Sequence, residues 1–229
     1  MDIVEVCPDL DKIAQGIARA QQSRIAIPDL THLGKISAQQ RWAFVEKMLE
    51  ASPYPIIISH RARDFTKETL LAHLSFLKPF QAHLRPLVVY GDPKKEADTR
   101  GHLDTLQTLK MFCDAGFQTG ATVDLTPLNQ TVEHHLSYAH KKIQVGAEFL
   151  ITQLVFDVPF ALKSLETLMR ATPSLAKLYL GLGPENPQAF PALEKIPGLN
   201  IPHHFHTHQD IKEAFHGKIT GFYQSALIA

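Results

Sequence analysis

Eight short apolar runs, each followed by a polar turn and then a helical pattern, constrain this chain most. They span residues 2–7, 24–29, 55–60, 86–92, 119–125, 149–156, 178–183 and 219–226. Each is rich in Val, Ile, Leu or Phe and too short for an independent helix, which suits strands buried on both faces. Between them, Asp9 stands as a cap before Leu10, Ile13 and Ile17, and Ser37 with Gln40 forms a capping box before Trp42, Val45, Met48 and Leu49. Leu103, Leu106, Leu109 and Cys113 repeat at helical spacing, as do Val132, Leu136, Ala139 and Ile143. Gly116 and Gly146 follow those two patterns, where a left-handed terminating residue belongs. Eight strands alternating with helices predict an α/β fold, a compact (β/α)8 TIM barrel formed by a single domain over residues 1–229. The last run ends near residue 229, so an eighth outer helix is expected to be lacking. The uncovered apolar face then predicts a homo-oligomer or a partner subunit.

Lys plus Arg equals Asp plus Glu at 23 each, so no bulk positive charge is available to hold a phosphate backbone, and nucleic acid is not expected. No apolar run reaches the roughly 18 residues of a membrane span, and no basic-then-apolar leader opens the sequence. Two cysteines, Cys7 and Cys113, are too few for a disulfide framework. A cytoplasmic protein is the expectation.

In a barrel of this type the working residues sit at the C-terminal ends of the strands. No strand run carries the desolvated Lys that a Schiff-base aldolase needs. The lone Gly181-Leu182-Gly183 lacks the third glycine of a dinucleotide fingerprint. The run 203–208 holds four histidines, of which His204, His206 and His208 share one face if extended. That spacing suits zinc or nickel, but no metal centre is assigned to it.

Residues 146–157, Gly-Ala-Glu-Phe-Leu-Ile-Thr-Gln-Leu-Val-Phe-Asp, carry a resemblance. This segment is similar to the signature of methylenetetrahydrofolate reductases, a flavin-dependent barrel family. Val89-Tyr90-Gly91-Asp92-Pro93, Val4-Glu5-Val6-Cys7-Pro8 and Arg63-Asp64 resemble further segments of the same family. The resemblance implies an oxidoreductase of one-carbon metabolism and methionine biosynthesis. It would reduce 5,10-methylenetetrahydrofolate, or a related pterin, to the 5-methyl form with NAD(P)H. Glu5 would be the general acid for opening the methylene bridge, Asp92 the carboxylate beside flavin and folate, and Gln153 the amide that hydrogen-bonds the pterin. The implied flavoprotein cofactor is FAD, with FMN as a variant. Its cradle would fall on Ser59, His60, Tyr90, Gly91, Asp92, Thr122, Thr126, His135, Tyr138, Lys141 and Lys142. Several cradle positions differ in type from the family pattern: Tyr90 stands for an arginine, and His135, Tyr138 and Lys141 for an acid, an amide and an arginine. The alternative is a homologue that binds a pterin or folate without autonomous flavin chemistry.

Overall fold

A parallel strand can rejoin its neighbour only through a crossover, and a helix is the usual one. The computed structural model describes residues 2–31, 36–90, 101–126, 132–173, 177–183 and 206–225. Its eight strands are β1 (Ile3–Glu5), β2 (Arg24–Ile27), β3 (Ile56–Arg61), β4 (Leu84–Val89), β5 (Gly120–Val123), β6 (Phe149–Val155), β7 (Leu178–Leu182) and β8 (Gly221–Gln224). They lie parallel in chain order, and β8 closes on β1 through Ile3 opposite Tyr223 and Val4 opposite Gln224. The fold is the (β/α)8 barrel that the apolar runs predict. The helices among the described residues are α1 (Ile13–Gln22), α2 (Ala38–Ala51), α3 (Lys67–Leu77), α4 (Thr105–Asp114), α5 (Val132–Gln144), α6 (Val158–Ala171) and α7 (His208–Phe215). None of these helices is long and apolar enough to cross a membrane.

Local chemistry sets the helix ends. The Ser37–Gln40 capping box forms as expected, and equivalent boxes at Thr66–Thr69, Asp104–Gln107 and Thr207–Asp210 start α3, α4 and α7. Asp9 caps a short 3-10 turn at 10–12, and α1 begins only at Ile13. Leu103 precedes its helix, because Asp104 takes the cap position and the Leu103 N–H goes to the Phe65 carbonyl instead. Gly116 and Gly146 adopt φ of +86° and +117°, the left-handed region that turns α4 and α5 toward their strands.

Strand alternation divides the core into two shells. Ile3, Ala26, Ile57, Leu87, Phe149, Ile151, Tyr179 and Tyr223 fill the barrel interior. Ile25, Ile27, Ile56, Ile58, Leu84, Val88, Ala121, Leu150, Leu178 and Leu180 face outward and meet helical residues such as Phe44, Met48, Leu109, Phe112 and Leu165. Over the closing seam, Val4 and Phe222 are half-buried, with the Lys212 ammonium of α7 5.8 Å from the Phe222 ring. The two shells fill the wall with apolar side chains on both faces.

Candidate functional site

Parity fixes which strand-end residues can meet. Glu5 lies two residues after Ile3 and therefore faces the interior at the C-terminal end of β1. Only 5% of it is exposed. The Tyr223 hydroxyl of β8 donates to Glu5 Oε2, and the Ser225 hydroxyl lies 3.4 Å from Oε1. Burial, reinforced by the Glu5 charge, pushes the Tyr223 phenol well above its ordinary value, so it stays protonated and keeps donating. One hydroxyl from the closing strand and one just beyond it thus orient the carboxyl group.

Gln153 reaches the same end by a different device. Ile151 pairs with Tyr179 and Leu154 with Gly181, so Thr152 and Gln153 stand opposite Leu180 alone. This β-bulge breaks the alternation. Thr152 becomes buried, while Gln153 is the one exposed residue of β6. Gln153 therefore meets solvent in the C-terminal half of β6. The Gly181 N–H donates to Thr152 Oγ1 at 2.8 Å, and that hydroxyl donates to the Gln153 carbonyl at 2.7 Å. A Cβ on Gly181 would lie 2.8 Å from the carbonyl oxygens of both Thr152 and Gln153, so the bulge requires glycine there.

The remaining predicted residues separate into two groups. Ser59 shares the inward face of β3 with Ile57, and Thr122 lies on the inward face of β5. Tyr90 is 51% exposed just beyond β4, where the Arg63 guanidinium carbon sits 4.0 Å from its ring centre. His60 points the other way, into the shell under the helices, with ring centres 4.9 Å from Phe112 and 5.0 Å from His73. Desolvation holds His60 well below the usual imidazole range, and it is neutral. Lys142 is also withdrawn. Its ammonium donates to the Thr122 carbonyl at 2.6 Å, lies 4.8 Å from the Tyr138 ring, and is brought down to about 8 by burial. Thr126 is buried and donates its backbone N–H to Asp124 at 2.8 Å. Burial raises the Asp124 carboxyl, and burial lowers His135, which faces the Asp124 charge. Lys141 is exposed on α5. Gly91 and Asp92 lie outside the described residues, as do His203 and His204. His208 is bonded to the Gly183 carbonyl, and Asp210 holds the Thr207 cap. Among the described residues, no group of three or more His, Cys, Asp or Glu could hold a metal ion.

Tyr223 and Ser225 fall at the end of the last apolar run, where the sequence places strand-end residues, but their pairing with Glu5, more than 200 positions away, carries no local signal. Thr152 is not singled out, because it reads as an ordinary strand threonine.

No family model and no curated protein matches the chain. Among solved structures, one is described as an uncharacterized protein from Clostridium thermocellum that binds two copies of 5-methyl-5,6,7,8-tetrahydrofolic acid. The chain is similar to it with a TM-score of 0.68 and 16% sequence identity, over 98% of this chain and 88% of that one. What the two share at that identity is the barrel.

Proposed function

We propose that this chain binds a reduced folate in the mouth of the barrel, with Gln153 on the pterin and Glu5 as the group that handles a proton beside it. The bulge carries this reading, because it exposes a single amide on an otherwise buried strand at the end where Glu5 is held. A primary amide presents a donor NH2 beside an acceptor carbonyl, which complements the amino-oxo pyrimidine edge of a pterin. A carboxyl buried to this degree and bonded by two hydroxyls is oriented to give or take a proton at a pterin nitrogen. The ligand of the Clostridium thermocellum protein and the resemblance of residues 146–157 support the same substrate class.

A flavin-dependent reductase using NAD(P)H is the finer form of the proposal, in which flavin would supply a hydride. Among the described residues, the predicted cradle positions do not come together as a complete flavin cradle. His60 lies on the far side of the sheet, and Lys142 is spent on the Thr122 carbonyl, leaving Ser59, Tyr90, Thr122 and His135 nearest the mouth. We therefore place folate binding without autonomous flavin chemistry first.

Calorimetric titration of the full chain with 5-methyltetrahydrofolate, FAD and FMN separates the two. Saturable folate binding that Gln153→Ala weakens at least about tenfold is expected, a loss of about 1.4 kcal/mol. Tight uptake of FAD or FMN would restore the reductase, and no folate binding would end both readings.

A further inference from the structure

The opposite end of the barrel carries a second concave surface that the folate reading does not use. A cavity of about 450 Å³ lies between the turn before β4 and the turn between α4 and β5. Lys78, Gln81, Arg85 and Gln118 supply its polar groups, and Pro79 and Ala82 supply an apolar wall. It is an open depression, with Lys78, Pro79, Ala82, Gly116 and Gln118 exposed around its floor.

Basic side chains stand at this end of two strands. Arg85 lies on the inward face of β4, two residues before Leu87, and Arg24 on the inward face of β2, two residues before Ala26. Arg24 gives one N–H to the Tyr179 hydroxyl at 3.2 Å, while its buried Nε has no hydrogen-bond partner. Burial lowers Arg85 from its ordinary value, with Glu148 opposing that shift and Arg24 adding to it. Lys78 and Arg85 line the depression, and Arg85 feels both the Arg24 charge and the Glu148 carboxylate. The donors are also incompletely used. Arg85 spends Nη1 on the carbonyls of Gln81, Ala82 and Leu84, and the Lys78 ammonium, which has three N–H groups, reaches the Ala115 carbonyl at 2.9 Å. Gln118 is exposed in the lining. An incoming oxyanion would meet the exposed Lys78 ammonium and the partly buried Arg85 guanidinium, the second of which attracts it more strongly than an ion in open water would.

We propose that this cavity is a binding site for a small molecule bearing an oxyanion, a phosphate or a polycarboxylate, with Arg85 and Lys78 as its cations and Gln118 as an amide donor. The two sources are distinguished by titrating the full chain with pyrophosphate and, separately, with citrate at fixed ionic strength, read by calorimetry. Saturable binding at about millimolar or tighter is expected for one of them, and the tighter of the two names the class. Gln118→Glu, which places a like charge in the lining without removing a hydrogen bond of the fold, should weaken it at least about tenfold. Arg85→Gln should do the same. Lys110→Gln, whose ion pair with Asp114 lies on the outside of α4, should leave it unchanged. Absence of saturable binding for both anions, or equal binding in wild type and Gln118→Glu, overturns the proposal. The site is at the other end of the barrel from Gln153, so folate affinity should not change in Gln118→Glu, and either proposal can fail alone.

Discussion

The Thr152 hydroxyl accepts the Gly181 N–H at 2.8 Å and returns its own hydrogen to the Gln153 carbonyl at 2.7 Å. One side chain therefore replaces the ladder bonds that the extra residue of β6 disrupts, and it does so beside the amide that the bulge exposes. Thr152→Val keeps the shape of the side chain and removes both bonds. The expected outcome is a loss of stability of about 1–3 kcal/mol, since a buried N–H loses its acceptor. Folate affinity should fall with it, toward that of Gln153→Ala. Thr152→Ser should retain binding, and chemical denaturation together with calorimetry checks both.

The neighbouring strand should be as intolerant. Gly181→Ala places a methyl group 2.8 Å from two backbone oxygens, which cannot retreat as a flexible side chain would. A cost of about 1–3 kcal/mol is expected from such overpacking, measured as a lowered denaturation midpoint with unchanged slope. Gly217→Ala, where the space is open but φ is +72°, tests backbone strain alone and should cost less.

The pair His60 and His73 predicts a dependence of stability on pH. Burial keeps both rings neutral, with His73 at about 4 and also influenced by Arg41 and Asp29, and His60 well below its ordinary range. The unfolded chain takes up these protons as pH falls below about 6.5, whereas the folded chain does not. Stability should therefore be full above that pH and decline as pH falls through the window toward about 4. His73 alone accounts for roughly 3 kcal/mol over the whole window. Urea denaturation at pH 7.5 and pH 5 should show the decline, and His73→Phe should reduce it. Equal stability at the two pH values would refute the neutral, buried pair.

How much of this was legible in the sequence follows from what each feature depends on. The eight strands were visible because a strand covered on both faces needs apolar residues at nearly every position, and the ends of α4 and α5 were visible because only glycine fits a left-handed terminator easily. The same two-sided burial hid the choice between Ser59 and His60: with all six residues of β3 buried, no polar alternation marks the inner face. The bulge is a register property of β6 against β7 and has no local signature. The clasp of Tyr223 on Glu5 joins the two ends of the chain, so only barrel closure reveals it.

The most direct measurement is a two-dimensional NMR titration of the protein, with glutamine side-chain amides labelled with nitrogen-15, by 5-methyltetrahydrofolate. The prediction is a saturable shift of the Gln153 side-chain amide, with the Gln118 amide at the other end of the barrel unmoved, and disappearance of the shifting signal in Gln153→Ala as its assignment. Saturation of the ligand with the Gln153 amide unmoved would contradict a folate site in the mouth.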